Sequence, residues 1–201
     1  MKNILVWDWP VRIGHWLLVA AFATAWLTGE SETWKLVHVA AGGAVVGDIL
    51  FRLLWGVVGT RHARFGAFVR GPRAVAAYVR GILRGQSQHT TGHNAAGGWA
   101  IVGLLALGLL AGATGWAAYQ EIGGEWLEEL HEGLTTAMLG LVAVHVVGVI
   151  VSSRAHGENL AKAMVTGHKR GAPQEAIARA YGPMVLVQLA WIGACAWWFT
   201  R

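Results

Sequence analysis

The sequence predicts an all-α integral membrane protein, a bundle of four helices followed by a fifth, C-terminal transmembrane helix. Three observations predict it. Hydrophobic residues make up 55% of the 201 and charged residues only 13%, about half the roughly 25% of an ordinary soluble domain. With a mean hydropathy of +0.45, the chain is too poor in charge to coat a globule with water-facing side chains, so a soluble enzyme and a disordered chain are both excluded. The apolar residues come in continuous runs of membrane-crossing length, about 20 residues, without the alternation of a β-barrel. Between the runs, basic and acidic segments take turns.

The first uncharged run covers residues 13–29. Ala23-Thr24-Ala25 within it imitates a signal-peptidase site, but Asp8 between Trp7 and Trp9 makes a poor leader, and retention is expected. The second run, 36–58, contains Asp48 and Arg52. The third, 94–120, and the fourth, 133–153, carry no charge. The fifth, 180–200, has Pro183 near its start, where a helix tolerates proline. Several of the twelve tryptophans flank these runs, as aromatic belts do at a membrane surface. Gly43-x-x-x-Gly47 and Gly108-x-x-x-Gly112 suit close helix packing. Residues 1–170 are expected to form the four-helix domain, and 171–201 a short linker with the additional helix.

The loops give an orientation. Residues 60–93 hold Arg61, Arg64, Arg70, Arg73, Arg80 and Arg84 and no acid. Residues 154–179 add Arg154, Lys162, Lys169, Arg170 and Arg179 against Glu158 and Glu175. The alternate loops carry Glu30, Glu32, Glu121, Glu125, Glu128, Glu129 and Glu132. The positive-inside rule puts the N-terminus and the Arg-rich segments on the cytoplasmic side of a bacterial inner membrane, and the C-terminus in the periplasm. The same dispersion of arginines argues against nucleic acid as partner. Cys195, the single cysteine, excludes an intrachain disulfide, a cysteine-only zinc site and a self-contained Fe–S cluster. No C-x-x-C-H attachment motif for a c-type haem is present.

Nine histidines in so apolar a chain need an account. His15, His38, His131 and His145 fall within or at the edges of the spans, where a titratable group is costly and marks a candidate site. His131 and His145 are 14 residues apart. At about 100° per residue they lie roughly 40° from one stripe of the fourth helix, about 21 Å apart along its axis. His15 enters helix one from the cytoplasmic side, and His38 enters helix two from the outer side. Each leaflet therefore holds two imidazoles on different helices, His15 with His145 and His38 with His131. Two opposed imidazoles suit the two axial positions of a b-type haem, and such iron transfers electrons because no position stays open for substrate. Zinc needs three or four ligands together, which two levels so far apart do not provide. Arg52 follows His38 by the same interval, and it either pairs with a propionate of the inner haem or snorkels to the cytoplasmic interface. His62, His89, His156 and His168 fall in charged segments and read as solvated. His93 begins helix three, as a cap or as part of a quinone pocket.

Trp7-Asp8-x-x-x-Arg12-x-x-His15-Trp16 with Thr28-Gly29-Glu30 resembles the opening of the prokaryotic cytochrome b561 family. Arg52-x-x-Trp55-Gly56-x-x-Gly59, Ala63-Arg64-Phe65, Gly92-His93-Asn94-x-x-Gly97-Gly98 and Glu158-Asn159-Leu160-x-x-Ala163-Met164-x-x-Gly167 follow in order. The set is similar to the branch of b-type cytochrome subunits of Ni/Fe-hydrogenases. The resemblance covers about residues 4–170. It implies a four-helix membrane subunit with two haem b groups that exchanges electrons with a quinone, the irons held by His15, His38, His131 and His145. The fifth helix departs from that pattern and suits a partner, a second copy of the chain or a lipid.

The expected function is electron transfer between a periplasmic redox protein, a c-type cytochrome or a hydrogenase, and quinone in the bilayer. The acidic outer loops would attract a basic partner, although topology alone also accounts for them. Quinone-site candidates on the cytoplasmic side are His93, Asn94, Glu158 and Asn159; the last pair equally suits a cap after helix four. A superoxide:quinone oxidoreductase acting alone, known in the wider family, would need a basic outer funnel, and the outer loops are acidic. A haem-free transporter using the histidines as a proton relay is the alternative of another class, separated by the absorbance band of reduced b-type haem.

Overall fold

The computed structural model describes residues 2–86 and 89–201. Its elements are β1 (Lys2–Leu5), α1 (Trp9–Thr28), α2 (Lys35–Val58), α3 (Phe65–Phe68), α4 (Pro72–Leu83), α5 (Ala95–Tyr119), α6 (Trp126–His156), α7 (Leu160–Thr166), β2 (His168–Gly171) and α8 (Met184–Phe199). Four of these helices, α1, α2, α5 and α6, are long and apolar enough to cross a membrane. The fifth apolar run forms a helix of 16 residues, about 24 Å at 1.5 Å per residue against a hydrocarbon core of about 30 Å.

Two spans are longer than their uncharged runs. α1 starts at Trp9 because Asp8 caps it, accepting a bond from the Val11 N–H at 2.9 Å, with Pro10 in the first turn. Both are favoured there. Arg12 is accommodated inside the helix: its guanidinium covers the Trp9 ring at 3.9 Å and donates to the Val165 carbonyl. α6 starts at Trp126, with Glu128 and Glu129 in the first turn, where the helix dipole favours acids. It runs to His156 and stops at Gly157, whose φ of 59° is left-handed.

α2 is the centre of the bundle, with α1, α5 and α8 packed around it, while α6 packs on α5. The glycine stripes make these approaches. A Cβ at Gly43 would fall 2.7 Å from Phe199 and one at Gly47 2.8 Å from Cys195, so this stripe receives α8. Gly108 and Gly112 receive Ile49 and Val46 of α2. α1 and α6 have almost no direct contact with each other.

The segments expected as loops carry structure. β1 pairs antiparallel with β2, Lys2 opposite Gly171 and Leu5 opposite His168. α4 is amphipathic, with Arg73 and Arg80 set against Val75, Tyr78 and Ile82, and it packs on α5. The Lys169 ammonium, on β2, donates to the Thr90 carbonyl at 3.0 Å. The Asp8 carboxylate accepts from Thr60. The N-terminal segment and both Arg-rich segments thus meet at one end of the bundle, and the acidic connections lie at the other.

Candidate functional site: two histidine pairs in the bundle

The less exposed residues of α6 recur at positions 131, 134, 135, 138, 141, 142, 145, 149 and 152, one helical stripe. Both its histidines lie on that stripe, as the 14-residue spacing predicts. On α1 the corresponding stripe is 11, 14, 15, 18, 21, 22, 25 and 28, which includes His15.

At the acidic end, His38 of α2 faces His131 of α6. Their ring centres are 6.1 Å apart and their planes nearly perpendicular at 83°. An imidazole bound through one nitrogen puts its ring centre about 3.2 Å from the metal, an axial bond of about 2 Å plus the ring radius. Two such rings on opposite sides of one iron are about 6.4 Å apart, so the pair already has the spacing of axial ligands. The other nitrogen of each ring is also placed. His38 Nδ1–H donates to the Ala25 carbonyl at 2.8 Å and His131 Nδ1–H to the Ala111 carbonyl at 2.9 Å. A carbonyl only accepts, so each ring carries a proton on Nδ1, which leaves Nε2 as its free edge. Such an outer partner is what orients metal-bound histidine. A glycine makes room for one of the rings: a Cβ at Gly115 would fall 2.6 Å from His131 Cε1, whereas one at Gly29 would only touch the His38 ring at 3.6 Å. Gly115→Leu is therefore expected to displace His131 and lower haem content by about half. A redox titration checks this, and full haem content in that variant would rule it out.

At the basic end, His15 stands edge-on to Trp16 at 5.1 Å, and its Nδ1 is buried without a protein partner. His145 is close enough for the two rings to interact electrostatically. Among the described residues no three metal-binding side chains converge, so each level offers two imidazoles, short of a zinc site's set. An orphaned ring nitrogen at one level and two pre-oriented Nε2 atoms at the other fit a flat macrocycle ligated from both faces.

Arg52 reaches this end from α2. One Nη donates to the Ala63 carbonyl at 2.9 Å, the guanidinium lies 5.0 Å over Phe65, and the other Nη is buried without a partner. The side chain is half-buried against the segment that follows α2. His93, ahead of α5, is clasped between Trp7, ring centres 4.5 Å apart, and Phe68, 4.8 Å. Burial holds its pKa well below the ordinary 6.5, and Arg52 and Lys169, then His145 and His15, push the same way. His93 is thus a neutral imidazole near the inner pair, on the wall of a cavity of about 760 Å³ that also includes His62, Phe68, Arg70, Tyr78 and Glu175.

The other three residues expected around a quinone have structural duties. Asn94 caps α5, its Oδ1 accepting from the Gly97 N–H at 2.8 Å, and Asn159 caps α7 through the Lys162 N–H at 2.8 Å. Glu158 accepts from the Arg170 N–H at 2.7 Å and faces Lys169 and His89, each at 3.6 Å. Of the four, His93 alone lines the cavity. The reading of four solvated loop histidines needs correction. His168 is exposed, but His62 is buried, bonded through Nε2 to the Glu175 carbonyl at 2.7 Å and set against Trp7. His89 and His156 are half-buried and 6.1 Å apart. Tertiary folding of the Arg-rich segments encloses them, which charge counting does not show. Sequence reasoning also missed Gly115 and the carbonyls of Ala25 and Ala111. Backbone acceptors leave no residue signature, but a glycine inside an apolar helix, about 1 kcal/mol worse than alanine, is a signal.

A family model described as prokaryotic cytochrome b561 matches residues 6–167. The chain belongs to the prokaryotic cytochrome b561 family. No match was found among the curated proteins or among the solved structures. As a cytochrome b561 family member the chain is a predominantly helical membrane protein that binds b-type haem and transfers electrons.

Proposed function

We propose that this cytochrome holds two b-type haems stacked across a bacterial inner membrane and carries electrons between a periplasmic redox protein and the quinone pool. The observation that carries the reading is the His38–His131 pair, spaced for one iron and fixed in tautomer by two carbonyls. His38 and His131 hold the outer group, and His15 and His145 the inner one. Held by two imidazoles, each group would supply one-electron transfer rather than substrate binding. The protein's part is to hold the imidazoles in place and neutral, and to exclude water from them with the apolar walls of four helices.

The basic end faces the cytoplasm, in keeping with the positive-inside rule, and α8 with its flanking residues makes a fifth crossing that ends in the periplasm. The buried, unpartnered Nη of Arg52 suits a propionate of the inner haem. Arg52→Leu is expected to lower inner-haem occupancy or shift its potential; an unchanged redox titration would reject that role. Quinone is exchanged at the cytoplasmic side, where neutral His93 can share a proton with a quinone oxygen and where Phe68 and Tyr78 give the cavity its apolar part. The periplasmic partner is a c-type cytochrome or a hydrogenase, drawn to the acidic loops.

The test is a pyridine haemochrome count on the purified protein, joined to co-purification from native membranes. Two haems per chain and a co-purifying periplasmic haem protein or hydrogenase are expected. One haem, or none, would overturn the two-level assignment.

A further inference from the structure

Asp48 lies in the middle of α2 and is 1% exposed, and it takes no part in the histidine geometry. On α8, Gln188 is also 1% exposed. Gln188 Nε2 donates to Asp48 Oδ1 at 2.8 Å and to the Pro10 carbonyl of α1 at 3.2 Å. Both amide hydrogens are thereby used, which fixes which end of the amide is nitrogen. Two acceptors remain, Asp48 Oδ2 and Gln188 Oε1, both buried without a partner. A buried acceptor left without a donor costs about 1–3 kcal/mol, and an ionised carboxylate in a membrane interior costs more. One hydrogen on Oδ2 supplies a donor where these two acceptors have none. It also removes the charge.

No cation neutralises Asp48 instead. Among the described residues the ion pairs within 4.0 Å both involve Glu158. The titratable groups on Asp48's own helix and the elements packed around it are Lys35, His38 and Arg52 on α2, Arg12 and His15 on α1, Cys195 on α8, and Tyr119 at the last position of α5. Arg52 is the charge that Asp48 feels, and the guanidinium is bound to the Ala63 carbonyl. The position is also specific. A Cβ at Gly14 would fall 2.9 Å from Asp48 Oδ1 and 2.5 Å from Gln188 Nε2. The carboxyl therefore rests against the turn of α1 that carries His15, level with the inner pair.

We propose that Asp48 is an intramembrane proton-binding site, completed by Gln188 of α8 and coupled to the inner electron site. The coupling rests on the reading of His15 and His145 as inner-haem ligands; the proton-binding itself does not. An electron arriving at the inner site adds one negative charge. A proton from the aqueous phase at the basic end then adds to Asp48 Oδ2, forming the O–H bond, and the junction keeps its net charge. When the electron leaves, that bond breaks and the proton returns to the same phase.

The test is a reduced-minus-oxidised infrared difference spectrum, read with the pH dependence of the inner midpoint potential. Wild type is expected to gain the carbonyl band of a protonated carboxylic acid on reduction. Asp48→Asn is expected to lose the band and to flatten the pH dependence. Gln188→Leu keeps the acid but removes its amide partner, so the band moves to higher frequency. The absence of an acid band in wild type, its persistence in Asp48→Asn, or an unmoved band in Gln188→Leu would overturn the proposal. A haem count below two per chain counts against the two-haem reading instead, since the acid band can still be followed by pH titration.

Discussion

Alanine at any one of the four intramembrane histidines is expected to remove about half of the haem, and the four variants should fall into two pairs. His38→Ala and His131→Ala lose the outer group and keep the inner one; His15→Ala and His145→Ala do the reverse. The pairing is the informative part. His131 and His145 share a helix and a stripe, and a merely destabilised α6 would cost both groups at once. Separate losses require that each imidazole be tied to a partner on another helix, as the 6.1 Å approach of His38 to His131 indicates at the acidic end. Haem counts and two-component redox titrations of the single variants check this. Loss of the same component in His131→Ala and His145→Ala would contradict the two-level arrangement.

Asp8→Ala is expected to cost about 3–5 kcal/mol of stability, the loss of a helix cap together with two buried donors left without an acceptor. The carboxylate is 0% exposed. It accepts from the Val11 N–H at 2.9 Å, from Trp55 Nε1 at 3.0 Å and from Thr60 Oγ1 at 2.6 Å. It caps α1 while tying that cap to the end of α2 and the chain beyond. Alanine removes the cap and leaves two buried donors on other elements without an acceptor. Asp8→Asn keeps one carbonyl oxygen and is expected to lose less, about 1–2 kcal/mol. Thermal unfolding in detergent, followed at the haem absorbance, separates the two. Equal melting of wild type and Asp8→Ala would show the network to be dispensable.

The features legible in the sequence are those with a period or a run. The spans announce themselves by continuous apolarity, and the His131–His145 interval identifies one face of α6 before any neighbour is known. Gly43 and Gly47 announce a close approach, though not that α8 makes it. What stays hidden depends on partners far along the chain. Gln188 is one polar residue in an apolar run, and its meaning appears only when Asp48, 140 residues earlier, lies beside it. β1 and β2 are four residues each, with no alternation long enough to read, and each has a pairing edge only because the other exists. His62 looks like a loop residue beside Arg61, and burial comes from Trp7 and the Glu175 carbonyl. Asp8, Asn94 and Asn159 stand within family-like motifs that suggest chemistry, yet the structure uses their side chains as helix caps.

The pairing of Lys2–Leu5 with His168–Gly171 also orders the making of the molecule. A ribosome delivers the chain from its N-terminus, so the first strand must wait, unpaired, until all four long spans have been threaded into the bilayer. Its edge is completed only after α7 has emerged. Closing the ribbon is then a late latch on the four long spans, and bulky fusions ahead of Lys2 should delay maturation more than fusions after Arg201.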